Sequence, residues 1–130
     1  MEGADNTRDL VEELAHGVIG AAIEVHRVLG PGFIEAMYEE ALCVELAIRS
    51  IPFARQHPIA LKYKGYEVGE SRLDLLVGSL LIVELKAVDS LLPIHQAQLM
   101  AYLKMTRLKL GLLINFNVRY LKDGLKRIIV

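Results

Sequence analysis

The sequence predicts an α/β (α+β) domain: a mixed central β-sheet flanked by helices, in the order ααβββαββ. Three observations carry this expectation. Apolar residues recur at the helical period up to residue 49, strand-like patterning starts at Phe53, and one further helix separates the third strand from the last two.

The first helix is expected over residues 7–29. Val11, Leu14, Val18, Ala22, Val25 and Leu29 share one helical face, and Asn6 or Thr7 can cap its start. Residues 1–7 are expected to form a flexible tail. "LGPG" ends the helix, since glycine takes the left-handed turn and proline bars continuation. A second helix is expected over residues 33–49, with Leu42 and Leu46 on its inner face, until "SIP" breaks the pattern. "ARQHPIALKY", a "KG" turn and "YEVGE" then read as strands. The runs 72–77 and 80–86, separated by "GS", carry a hairpin signature. Pro93–Thr106 reads as a helix with proline in its first turn. "LKLGLLINF" suits a strand covered on both faces, and "KDG" turns the chain into a terminal strand, "LKRIIV".

A length of 130 residues points to one domain over residues 1–130. With 53% apolar and 24% charged residues, the composition excludes a disordered chain. The single Cys43 has no internal disulfide partner and reads as a buried, inert thiol, which points to a reducing, cytoplasmic setting. No apolar run reaches the roughly 18 residues of a membrane span. A net charge of -1 gives no general basic surface, although the last third has a basic bias.

"RLDLLVGSLLIVELKA", residues 72–87, places Asp74, Glu84 and Lys86 in the most apolar stretch of the chain. Ionised groups in strand interiors need a partner, a hydrogen bond or a metal. Glu84 and Lys86 project from one face, and Asp74 lies on the partner strand. Two carboxylates can hold Mg²⁺, which takes oxygen ligands, activates water and neutralises phosphoryl charge. Lysine can orient the attacking water. Parity constrains this. A strict two-residue loop pairs Val77 with Leu80 and turns Asp74 away from Glu84, so a shared metal requires an odd-length loop or a bulge near Asp74. That irregularity is expected. The plainer alternative pairs Lys86 with Glu84 and leaves Asp74 in water at a strand end.

Supporting residues stand on the helices. Glu35 and Tyr38 share a face with Leu42 and Leu46, which aims Glu35 inward as a third acid. The helix macrodipole alone also favours a carboxylate there, and Tyr38 suits the core. His95, Gln98 and Tyr102 form a stripe on the third helix. An amide and a phenol can bond a phosphate or a metal-bound water; equally, Gln98 can be solvated, Tyr102 a core aromatic and His95 a surface group. His26 reads as structural, and no Cys/His spacing suggests zinc.

"VHRVLGPGFIEAMYEEAL" resembles the signature of the GxxExxY family, whose glycine, glutamate and tyrosine match Gly32, Glu35 and Tyr38. "RLDLLV", "IVELKAV", "HQAQLMAYL" and "GLLINFNV" resemble the rest of that family in order and spacing, from about Leu10 onward. The family is similar to the PD-(D/E)XK nuclease superfamily, which implies a restriction-endonuclease-like core and Mg²⁺-dependent DNA cleavage. The resemblance implies Asp74 as the first acid, Glu84 and Lys86 as the E-x-K pair, Glu35 as an additional helical acid, and Gln98 with Tyr102 as the QxxxY motif. Leu73 stands where the motif has proline.

The resulting expectation is a metal-dependent phosphodiesterase, a deoxyribonuclease. Asp74 and Glu84 bind Mg²⁺ (or Mn²⁺ as substitute), with the Leu85 carbonyl and Glu35 as further ligands. Lys86 positions the water, and Gln98 and Tyr102 hold the DNA strand. Lys62, Lys64, Arg107, Lys109 and Arg119 are candidate backbone contacts. The alternative is a non-catalytic module binding nucleic acid or protein on the same fold. A homodimer or protein partner can enlarge the gripping surface; a membrane is not expected.

Overall fold

The computed structural model describes residues 2–130, with side chains from residue 6 onward. Helices α1 (Glu2–Leu29) and α2 (Glu35–Ile48) precede strands β1 (Phe53–Tyr63), β2 (Tyr66–Val77) and β3 (Leu81–Lys86). Helix α3 (Pro93–Thr106), strand β4 (Leu110–Asn115), a 3-10 turn (Leu121–Gly124) and strand β5 (Leu125–Ile129) complete the chain. The strands form one sheet in spatial order β1-β2-β3-β4-β5. Only β3 and β4 run parallel, with α3 as their crossover; the other neighbours are antiparallel. This is the expected mixed sheet flanked by helices, and it is consistent with a restriction-endonuclease-like fold.

Two cores sandwich the sheet. Val18, Ala22, Leu42 and Leu46 of α1 and α2 pack on Leu75, Val83, Leu85 and Leu112. On the other face α3 brings Leu99, Tyr102 and Leu103 onto Leu73, Ile82, Leu113 and Ile128. All of β4 is buried because it serves both cores. Gly111 permits the closest approach of α3: a Cβ there would lie 2.8 Å from Leu99 Cδ1.

The helix termini differ from the sequence expectation. Residues 1–7, expected as a flexible tail, are helical from Glu2; Met1 lies outside the described residues. No proline in that stretch stops the helix from running back from Thr7. Helix α2 starts two residues later than expected because Gly32 sits at φ 110° and Ile34 is extended. Tyr38 then locks the connection: its hydroxyl donates to the Gly30 carbonyl at 2.6 Å and accepts the Phe33 amide at 3.2 Å. Its ring stacks on Phe116 at 4.6 Å, so Tyr38 is a core residue with a satisfied hydroxyl.

Both strands of the β1–β2 ladder switch faces at one point. Leu75 and Val77 point into the α1/α2 core, yet Leu73, of the same parity, points into the α3 core. Strand β1 does likewise: Phe53 packs on the first core and Ile59 on the second. Between these residues Gln56 takes a left-handed conformation, φ 51°, and the Gln56–Asp74 pair is missing from an otherwise in-register stretch. Asp74 therefore sits where the side-chain alternation inverts.

Candidate active site

The "GS" turn has the irregularity that the parity argument required. Gly78 and Ser79 both have positive φ (57° and 60°), and the Leu80 amide donates to the Val77 carbonyl at 3.1 Å, a two-residue turn matched to strand twist. The ladder nevertheless pairs Val77 with Leu81, Leu76 with Ile82 and Leu75 with Val83. Leu80 is thus an extra, unpaired residue, and the shifted register sets Asp74 opposite Glu84.

The backbone ladder between β2 and β3 stops at Leu75–Val83, and the two carboxylates take over from it. Asp74 Oδ2 accepts the Leu85 amide at 2.8 Å, and Glu84 Oε2 accepts the Asp74 amide at 2.8 Å. In a regular β2 the Asp74 amide would face β1, because Val77 faces β3 and directions alternate along a strand. The inversion at Gln56 redirects it. The Gln56 carbonyl, deprived of that ladder donor, accepts Arg72 Nη1 at 3.2 Å instead. Leu85 directs its amide toward Asp74, so its carbonyl also faces the gap beside β2.

Burial makes this pair electrostatically costly. Glu84 is only 5% exposed, and its carboxyl is pushed up to about 8, first by burial and next by the Asp74 carboxylate. Asp74 is also raised, chiefly by burial and then by Glu39, against the opposing pull of the Leu85 amide, Lys86 and Gln56. Lys86 favours the ionised forms of Asp74, Glu84 and Glu35 alike, yet makes no direct ion pair among the described residues. The plainer alternative of a Glu84–Lys86 ion pair with Asp74 in water is therefore not what the fold builds.

Glu35 departs from expectation. It stands exposed in the first turn of α2 rather than turned inward, although burial, Asp74 and Glu39 all raise its carboxyl while Lys86 lowers it. One turn further, Glu39 is the buried acid of α2. It accepts Arg55 Nε at 2.7 Å and Gln56 Nε2 at 2.9 Å, and Gln56 Nε2 also lies 3.5 Å from Asp74 Oδ1. Arg55 and Gln56 are consecutive, yet both reach Glu39, because the left-handed backbone at Gln56 puts two successive side chains on one face. The sequence reading missed Glu39 and Gln56. Glu39 was recoverable from its four-residue spacing after Glu35; Gln56 was not, since no residue type announces a left-handed turn inside a strand.

The α3 residues sit further out. Tyr102 is 8% exposed and its hydroxyl shares a 2.8 Å hydrogen bond with Ser71 Oγ on β2. Gln98 is exposed on the same helix. His95 caps α3 by accepting the Leu92 amide on Nδ1 at 3.0 Å, which separates it from the stripe with Gln98 and Tyr102. His26 is structural: Nε2 donates to the Val118 carbonyl at 2.7 Å. Asn115, paired with Lys86 in the ladder, clamps the chain after it by bonding both the amide and the carbonyl of Val88, at 3.0 and 2.9 Å.

The donor set suits a hard divalent cation. One oxygen of each carboxylate is held by a backbone amide. Asp74 Oδ1 keeps only the long contact to Gln56, and Glu84 Oε1 accepts nothing among the described residues. No buried side-chain oxygen among them lacks a partner, so Oε1 opens to solvent. Two adjacent carboxylates, each with one oxygen not held by a backbone amide and with no direct counter-charge among the described residues, match the oxygen preference of Mg²⁺ or Mn²⁺. Three such side chains do not gather: among the described residues no group of three His, Cys, Asp or Glu lies close enough to hold a metal. Glu35 is coupled electrostatically to Asp74, Glu84 and Lys86 without completing such a group.

A family model described as the PD-(D/E)XK nuclease superfamily matches residues 12–128. No curated protein and no solved structure matches the chain. Among the described residues no helix is long and apolar enough to cross a membrane.

Proposed function

Because the chain belongs to the PD-(D/E)XK nuclease superfamily, we propose that it hydrolyses phosphodiester bonds of DNA at the Asp74–Glu84–Lys86 site, with Mg²⁺ or Mn²⁺ as cofactor. Superfamily membership itself suggests a nuclease, a nucleic-acid substrate and a divalent metal. The GxxExxY subtype is our reading of Gly32, Glu35 and Tyr38. The observation that carries the proposal is the pair of amide bonds that the Glu84 and Asp74 carboxylates accept, from Asp74 and Leu85, where the ladder ends.

Asp74 and Glu84 would hold the metal, and the Leu85 carbonyl faces the same gap. When bound, the cation supplies charge neutralisation at the phosphate and a more acidic water. Lys86, free of any direct ion pair among the described residues, orients the attacking water and stabilises charge on the phosphate. Glu35, exposed and raised, exchanges a proton with solvent at the rim. Glu39, Arg55 and Gln56 fix the left-handed inversion that presents Asp74. Gln98 and Tyr102 hold the strand. The single Cys43, buried and pushed up by burial, supports a reducing, cytoplasmic setting.

The test is cleavage of single-stranded and duplex DNA and of RNA with Mg²⁺ or Mn²⁺, run beside Lys86→Ala prepared identically. Metal-dependent cleavage that the variant loses supports the assignment. Equal degradation by both proteins marks a contaminant and removes it. Nucleic-acid binding without cleavage under every metal condition favours a non-catalytic module.

A further inference from the structure

Past the carboxylates, β1 and β2 run on as a two-stranded ribbon without a third strand. Strand β3 pairs only with residues 75–77 of β2, and α3 covers only the ribbon's base, at Ile59, Ser71 and Leu73. Every residue from 62 to 70 is exposed. We propose that this ribbon is an arm that grips the nucleic acid away from the cut site, through Tyr63 and Tyr66 with the cations Lys62 and Lys64. The proposal rests on the nuclease reading above.

Geometry gives the arm its reach. Eight residues separate Asp74 from Tyr66 along β2, roughly 26 Å at the usual strand rise. That length matches about seven or eight base pairs of duplex. The tip is defined rather than loose: Lys64 and Gly65 form a two-residue turn with φ 51° and 85°, and Tyr63 pairs with Tyr66 across it. A lone ribbon is marginal in water, and a ligand lying along it would stabilise it.

Chemistry selects the ligand. Tyr63 is 61% and Tyr66 75% exposed, with Lys64 Nζ 5.4 Å from the Tyr63 ring centre. "LKYKGY", residues 61–66, holds two cations and no carboxylate; the acids of the ribbon, Glu67 opposite Lys62 and Glu70, lie behind the tip. Exposed aromatics interleaved with cations suit stacked bases and phosphates. Protein interfaces also favour tyrosine but deplete lysine, so a polyanion fits this tip better than a second copy of the chain.

The test uses the full chain and fluorescent single-stranded and duplex DNA, with Ca²⁺ in place of Mg²⁺, read by anisotropy across a salt series. Tyr63→Ala/Tyr66→Ala is expected to weaken binding by about 10-fold or more. Lys62→Ala/Lys64→Ala is expected to flatten the slope of log affinity against log salt by about 1.5. Both variants, altered only at exposed positions, should keep the wild-type melting temperature and metal response. Wild-type binding that neither variant changes overturns the arm and leaves the nuclease reading intact. A wild type that neither binds nor cuts nucleic acid overturns both. Sedimentation provides a further arm: if the tyrosine variant splits a dimer while DNA binding is unchanged, the ribbon joins two copies and the proposal fails.

Discussion

Asp74 is tied to the neighbouring strand twice, to Glu84 and to Leu85: Asp74 N–H donates to Glu84 Oε2 and Leu85 N–H donates to Asp74 Oδ2, each at 2.8 Å. Side chains here substitute for backbone rungs, so the Asp74 and Leu85 amides stay paired where the ladder ends. The arrangement concentrates negative charge where little solvent reaches.

That charge sets a pH dependence of stability. The folded Glu84 carboxyl titrates at about 8 against an ordinary 4.5, so the folded state binds its proton more tightly than the unfolded state does. The resulting stabilisation is full below the unfolded value and is lost as pH rises through the folded one. With a chelator present, the melting temperature should fall between pH 5 and 8, with a slope of up to ~1.4 kcal/mol per pH unit from this group. Glu84→Gln should flatten the fall. A wild-type curve that is level or rising over that window contradicts the buried pair.

Divalent metal should reverse the trend. Because the cation competes with the proton, apparent affinity for Mn²⁺ is expected to rise with pH up to about 8, with protons released on binding. Glu84→Gln is expected to raise the metal-free melting temperature at pH 8 while abolishing the metal-induced shift. A variant that still gains stability with Mn²⁺ places the metal elsewhere.

Gln56 yields an inverted substitution order. At an ordinary strand position alanine is more stable than glycine. At φ 51° alanine keeps the left-handed strain and glycine does not, so Gln56→Gly should exceed Gln56→Ala in stability by ~1 kcal/mol. Both should weaken Mn²⁺ binding, since each removes the amide between Glu39 and Asp74. Chemical denaturation of the pair decides the order; alanine above glycine argues for a regular strand.

Lys86 separates binding from chemistry. Removing a cation beside a cation site should leave Mn²⁺ affinity equal or tighter in Lys86→Ala, while cleavage drops by about 100-fold or more. Parallel loss of metal affinity and activity would reduce Lys86 to a structural role.

Tyr102 and Ser71 share one hydrogen bond. If that bond is all the phenol does, Tyr102→Phe and Ser71→Ala should cost about the same, ~1 kcal/mol, and leave turnover alone. Holding the DNA strand, as proposed, requires Tyr102→Phe to raise KM and Ser71→Ala to leave it unchanged. Steady-state kinetics on the two variants distinguishes the cases.

These features were unequally legible in the sequence. Helical spacing announced α1, α2 and α3, and the apolar run at 110–114 announced a strand covered on both sides, because each depends on the residues' own burial. Side-chain parity went further. It showed that Asp74 and Glu84 could meet only through an irregularity, and Leu80 supplies the extra residue. The inward orientation of Glu35 failed because α2 begins at Glu35 itself, where the first turn faces solvent, and the buried position falls one turn later at Glu39. Gln56 was invisible, since its conformation is imposed by strand pairing rather than local preference. The His95 cap was missed because a ring nitrogen in a first turn reads equally as ligand or cap.

The most direct measurement is an anomalous difference map from crystals of the full chain soaked in Mn²⁺ near pH 8. One strong peak bridging the outward oxygens of Asp74 and Glu84, and absent from Glu84→Gln crystals, is the expected result. A map empty between those carboxylates, or a peak that persists in the variant, would show that the paired acids do not hold the metal.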